Sequence, residues 1–157
     1  MGKEITYEQA MERLHKSVEQ GMIIECTNSV EAETICSCHG DCCGAMSFWR
    51  AAGPTSRAYM INMRRYDLEV NTETCAKCGA CAERCPMDVI VMDEQTGYPV
   101  IGGDMMCMTC GQCAYVCPTQ SRWLVPRDPS TYRERFADIV DQNNQIAAER
   151  FERGLIW

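Results

Sequence analysis

Long apolar runs are missing from this chain. No stretch of 18 or more apolar residues occurs, so nothing in it reads as a membrane-spanning helix. The amino-terminal end has no apolar leader core either: Lys3, Glu4, Glu8, Glu12, Arg13, Lys16 and Glu19 make it polar from the start. Basic charge is in deficit, with 15 Lys and Arg against 22 Asp and Glu. The net charge of −7 leaves no basic surface from which a nucleic acid could release counterions. No phosphate-cradling loop and no paired nucleophile and base can be found, so by itself the chain reads as no enzyme. Its 157 residues suffice for one small domain with additions.

Cysteine is what the chain has in excess, 13 residues in all. In a secreted chain that density implies a disulfide scaffold. Without a leader, the expectation is instead a reducing cytoplasm and thiols that hold metal. Eight of them fall into one pattern used twice. Cys75, Cys78, Cys81 and Cys85 precede Pro86, and Cys107, Cys110, Cys113 and Cys117 precede Pro118. Each run is C-x2-C-x2-C-x3-C-P. Gly79, Ala80 and Ala82 in the first run, and Gly111 and Ala114 in the second, keep the loops small enough for backbone N–H groups to approach sulfur. Pro86 and Pro118 fix the backbone after each last cysteine and offer no donor. Two zinc ions or disulfides are the competing readings. A third cysteine at x2 and a proline after the fourth are surplus to a zinc knuckle.

This spacing resembles that of the bacterial two-cluster ferredoxins. The resemblance implies two [4Fe-4S] clusters with crossed ligands, Cys75, Cys78, Cys81 and Cys117 on one and Cys107, Cys110, Cys113 and Cys85 on the other. It also implies an α+β fold with pseudo-twofold symmetry, in agreement with the 32-residue offset from Cys75 to Cys107. Each cube adds about −2, so two clusters move the charge to about −11 and three to about −13, which suits a basic docking patch on a protein partner.

Ahead of that module, Thr6 and Gln9 form a capping-box signature. Ala10, Met11, Leu14 and Val18 recur at helical spacing and Gly21 supplies a stop, which predicts a helix over 6–20 bearing His15 on its surface. Met22 to Ile24 read as a short strand, followed by Cys26. Cys36, Cys38, Cys42 and Cys43 then lie within eight residues. Four thiols so close suggest a third [4Fe-4S] cluster, a zinc ion or a thiol switch, with Cys26 or His39 able to replace one ligand. A helix, a short strand, a cysteine-packed run ending in C-C-G and a two-cluster module together resemble small iron–sulfur electron-transfer subunits of anaerobic oxidoreductase complexes. The tungsten aldehyde-oxidoreductase and class II benzoyl-CoA reductase types are examples. That resemblance covers roughly residues 5–120, although His39, Gly40 and Asp41 interrupt a run that is usually denser in cysteine.

Four segments follow: 1–50, the helix and cysteine-rich run; 51–70, a linker; 71–127, the two-cluster domain; and 128–157, a carboxy-terminal helical arm. Arg50, Arg57, Arg64 and Arg65 stand around the linker, with a turn at Gly53 and Pro54. They either offset cluster charge or offer a docking strip. Tyr66 to Val70 predicts a strand, and Val89 to Met92 with Tyr98 to Ile101 a hairpin with Gly97 at positive φ. Met105, Met106 and Met108 flank Cys107, where soft side chains exclude water or fill gaps. In the arm, Tyr132, Phe136, Ile139, Val140, Ile146, Ala147 and Phe151 form an apolar stripe that folds back or docks on a larger subunit. Leu155, Ile156 and Trp157 end the chain with apolar residues.

The expected function is electron transfer: single electrons pass through two or three clusters between a second redox protein and the cofactor of a larger catalytic oxidoreductase subunit. A free ferredoxin carrier and a zinc-stabilised interaction module are the alternatives. Neither a nucleic acid nor a membrane span enters this picture.

Overall fold

The computed structural model describes residues 2–51, 64–102 and 107–154. Gly53, Pro54, Arg57, Met105, Met106 and Leu155 to Trp157 lie outside them. The first helix, α1 (Tyr7–Glu19), starts where Thr6 accepts from the Gln9 amide while the Gln9 side chain bonds back to the Thr6 N–H. Both halves of the capping box are thus made. Ala10, Met11, Leu14 and Val18 are half-buried and His15 is exposed, as the helical spacing requires. Gly21, at φ 90°, takes the chain out of the helix in the left-handed region.

Strands β1 (Ile23–Cys26) and β2 (Ile35–Cys38) form an antiparallel pair, with Ile23 opposite Cys38 and Glu25 opposite Cys36. The cysteine-packed run is therefore partly a strand, and it leads through a turn into α2 (Gly44–Ala51). Neither element was anticipated from residue spacing. Four residues of I-C-S-C are too few for a period to register, and their β pairing comes from the partner strand.

The cysteine repeats sit in the order β3 (Tyr66–Val70), α3 (Ala80–Glu83), β4 (Ile90–Met92), β5 (Pro99–Ile101), α4 (Gln112–Tyr115) and β6 (Arg122–Pro126). β3 pairs antiparallel with β6, closing the segment end to end, and β4 pairs with β5 as the expected hairpin, with Gly97 at φ 70°. The 32-residue offset recurs in the backbone. Lys77 and Thr109, Gly79 and Gly111, and Asp88 and Gln120 all have positive φ, and α3 and α4 are in register by the same offset. The two halves are mixed α and β and repeat each other in conformation as well as in sequence.

Thr109 at φ 52° is uncommon for a β-branched residue, whereas glycine serves without strain at the two helix starts. Gly111 meets a further limit, since an added Cβ would lie 3.3 Å from Leu124 Cδ1, while at Gly79 it would meet nothing within 4 Å. Gly79→Ala is expected to cost the left-handed penalty alone, about 1–2 kcal/mol, and Gly111→Ala more. Anaerobic denaturant titration of the two variants checks this, and equal midpoints would refute the Leu124 contribution.

The core joins the amino-terminal segment to the repeat. Ile23 and Met46 are buried with Cys81, Cys85, Met87, Val89, Ile90 and Cys113. Polar braces reinforce the same seam. Arg84 donates to the Val18 and Glu19 carbonyls at the carboxy-terminal end of α1, at 2.5 and 2.6 Å, and to Gln112 Oε1 at 3.0 Å. A cation there satisfies carbonyls that the helix leaves unpaired. Gln112 donates in turn to the Met22 carbonyl at 2.6 Å. Arg50 donates to the Pro86 carbonyl at 2.6 Å and to Gly40 at 3.3 Å. Gly40 lies so close to that seam that an added Cβ would fall 2.6 Å from the Pro86 oxygen.

The described arginines around the linker are used inside the molecule. Arg64 donates to the Cys107 carbonyl at 3.0 Å, and Arg65 donates to Asn28 and stacks 4.8 Å from the Tyr132 ring centre.

The arm differs from its predicted form. Its helix, α5 (Ile139–Glu152), begins at an Asp138 cap, so Tyr132 and Phe136 precede it. Phe136 is buried instead in a bridge to Ser29, flanked by Val30 N–H to Phe136 O at 2.8 Å and Phe136 N–H to Asn28 O at 3.0 Å. The extended pairing explains the difference: hydrogen bonds to 28–30 capture this stretch before the helix can start. The arm folds back onto the amino-terminal segment there, while Val140 and Phe151 on α5 stay exposed.

Candidate metal centre

Two recesses open in the repeat, each lined by four thiols taken from both halves. One is bounded by Cys75, Cys78, Cys81 and Cys117, with Thr119, Ser121 and Arg122 beside them. The other is bounded by Cys85, Cys107, Cys110 and Cys113 among Leu68, Met87, Val89, Ile90, Met108 and Leu124. In both, three thiols come from one loop and the fourth crosses from the other half. The crossing follows from the backbone: after α3 the chain turns at Cys85, and Cys85 lines the recess of the second loop's thiols and not that of Cys75, Cys78 and Cys81. α3 and α4 lie against each other, which brings the two turns together.

The two recesses differ in polarity. Cys117 Sγ receives the Ser121 N–H at 3.3 Å and lies 3.2 Å from the Ser121 hydroxyl and 3.7 Å from that of Thr119. Burial pushes this thiol up, but those hydrogen bonds together outweigh it and bring it down to about 7. In the apolar recess burial prevails. It pushes Cys110 up to about 12 and raises Cys107 and Cys113, against a Thr109 N–H at 3.3 Å from Cys107 Sγ. Burial likewise raises Cys81. Thiols so placed favour the protonated state until a cation replaces the proton.

Arg122 is buried in strand β6 and donates to the Pro99 carbonyl at 2.8 Å. Its positive charge acts on Cys81 in one recess and on Cys107 and Cys113 in the other. Ser121, Thr119 and Arg122 escaped attention in the sequence because they follow the cysteine pattern without belonging to it. The signal available was a lone charge opening an otherwise apolar strand, R-W-L-V-P.

Removing the Ser121 hydroxyl tests the polar recess. Ser121→Ala is expected to lower the potential of a redox centre held by Cys117 by roughly 20–60 mV, the one-electron equivalent of about 0.5–1.4 kcal/mol for one hydrogen bond to sulfur. Anaerobic voltammetry reads this directly, and a shift in the other centre alone would contradict it.

The amino-terminal cysteines are arranged differently. The carboxylate of Glu25 and the thiols of Cys38 and Cys43 have donor atoms within 4.8 Å of one another. Burial pushes Cys38 up to about 12, helped by its hydrogen bonds to Cys43 and Glu25. Cys36 is exposed on the same strand, and Cys42 is turned to hydrogen-bond Asp41, which raises its pKa. The four thiols of this run are therefore not gathered as the two quartets are. His39 Nδ1 is engaged by Asp41 at 2.6 Å, and Cys26 is exposed.

Among the described residues no helix is long and apolar enough to cross a membrane. No curated protein matches the chain. Residues 74–121, the segment that carries both thiol quartets, match the family described as the 4Fe-4S dicluster domain, which supports a ferredoxin-type iron–sulfur module in that segment.

Proposed function

We propose that the chain is an electron-transfer subunit that relays single electrons through two [4Fe-4S] clusters to or from the cofactor of a larger oxidoreductase. The observation that carries the reading is the pair of recesses, each bounded by one crossed quartet. Thiol donors alone on a small tight loop suit iron–sulfur corners, and the residues present fit the group. Cys75, Cys78, Cys81 and Cys117 hold one cluster, and Cys107, Cys110, Cys113 and Cys85 hold the other, within a pseudo-twofold ferredoxin fold. When bound, the clusters supply one-electron storage at low reorganisation. The chain does the rest: Ser121 and Thr119 donate to a ligand sulfur, Leu68, Met87 and Leu124 exclude water from the second quartet, and Arg122 places a fixed positive charge between both.

Two features favour a subunit over a free carrier. The chain carries segments on both sides of the module, and α5 leaves Val140 and Phe151 exposed at its surface. Its acidity suits a basic face on the partner. The resemblance also implies a third cluster on Cys36, Cys38, Cys42 and Cys43, the competing reading of those thiols, which about twelve irons per chain would support.

Anaerobic purification tests the redox reading. The protein is expected to be brown, to bleach with dithionite and to carry about eight irons in the two quartets. A colourless protein with zinc in those quartets would overturn it. Co-purification from the native source tests the subunit role, and a monomer running alone would leave the free carrier.

A further inference from the structure

We infer that Glu25, Cys38 and Cys43 form a mononuclear site for a divalent cation of the zinc class, apart from the two quartets, with Cys36 placed to complete it. The register of the hairpin sets up the site. Ile23 and Glu25 on β1 face Cys38 and Cys36 on β2, so all four side chains emerge on one face of the pair. Ile23 on that face is buried in the core and Glu25 and Cys38 beside it are half-buried, while Cys36 lies at the exposed edge of the same face. Cys43 comes to the same place from the turn before α2, where its N–H bonds the His39 carbonyl at 3.0 Å. Cys36, directly across from Glu25, is a cross-strand neighbour at a side-chain spacing of about 5 Å.

A second observation points to a ligand. Glu25 Oε1 is buried without a hydrogen-bond partner among the described residues. A carboxylate oxygen removed from water and left unpaired is costly, and a cation is what would offset it. No basic side chain is paired with Glu25 in any described ion pair, and the Cys38 and Cys43 thiols lie within 4.8 Å of one of its carboxylate oxygens.

Geometry selects one ion over a cube. Donors around a single tetrahedral zinc lie about 3.8 Å apart, given bonds of about 2.3 Å to sulfur and 2.0–2.2 Å to oxygen. Donor atoms already within 4.8 Å of one another need only a small contraction. The four thiolates of a cube stand off its corners, farther apart by the iron–iron edge, and this cluster of donors is too tight for them. The mixed set of two or three thiolates and one carboxylate also suits zinc, which accepts sulfur and oxygen together. Cys42, committed to Asp41, stays outside the site. In this arrangement the cation fastens β1, β2 and the start of α2, the elements that pack on Cys81 and Cys85 through Ile23 and Met46.

The full chain, purified anaerobically with its clusters, provides the test by zinc and iron analysis together. About one zinc per chain is expected beside the quartet iron, and iron reports the cluster reading separately. Protein loaded with Co²⁺ in place of zinc should show thiolate-to-cobalt charge-transfer bands and intense tetrahedral d–d bands. Glu25→Gln and Cys43→Ser should each weaken Zn²⁺ binding at least about tenfold against a chelator with quartet iron unchanged, whereas Cys42→Ser should leave it intact. About four irons beyond the quartets with no zinc would overturn the proposal. So would zinc retained at full affinity in Glu25→Gln, or a Co²⁺ spectrum without thiolate bands in the unmutated chain, a measurement that no variant's folding can confound.

Discussion

Cys85→Ala is expected to remove about half of the quartet iron, and the cluster lost should be the one gripped by Cys107, Cys110 and Cys113 rather than the one nearest in sequence. Cys85 is buried in the recess that those three thiols bound, and its charge acts on each of them. Loss of one corner ligand leaves an iron without its thiolate in an apolar pocket, where few other donors are at hand. Double variants decide the matter. Cys85→Ala with Cys110→Ala should still hold about four irons, since both strike one cluster, whereas Cys85→Ala with Cys78→Ala should hold almost none. The reverse pattern would mean that each run feeds its own cluster, and the crossed assignment would fail.

Met46→Ala should produce the largest loss of stability, about 2–4 kcal/mol. Met46 is 0 % exposed and sits on α2 at the seam with Ile23 and Met87. Its truncation leaves a cavity that the surrounding thiols cannot fill, because each is held by its own loop. The damage should be local. Amides of 23–26 and 35–38 are expected to exchange with solvent roughly 30- to 1000-fold faster, the equivalent of that free energy, while quartet iron stays near its full count. Unchanged protection of the hairpin would show that the seam is held by Arg84 and Arg50 instead.

Both predictions draw on a boundary that residue spacing located only in part. The eight repeat cysteines, the capping box at Thr6 and Gln9, the hairpin around Gly97 and the strand at Tyr66–Val70 were legible because each is a local signal: a spacing, a cap, a turn residue or an alternation. The strand at Ile35–Cys38 was not legible, nor was the extended run that buries Phe136. Both are defined by backbone partners outside the segment itself, β1 across an eight-residue loop in one case and residues 28–30, about a hundred positions away, in the other. A periodic apolar stripe reports that a face will be buried, but not whether the backbone beneath it is helix or strand when a neighbouring edge offers hydrogen bonds.

The spacing of its cysteines, with the residue types between them, was enough to point to the cofactor class, because three of the four thiols in each quartet lie within seven consecutive residues. Tertiary structure alone decided the surroundings of each sulfur. Leu68 and Leu124 around the second quartet, Arg122 acting on both, and Glu25 against Cys38 are contacts between residues on separate elements. Potential and metal choice depend on hydrogen bonds, burial and charge summed over space, and a linear chain does not state which of its residues will share that space until it folds.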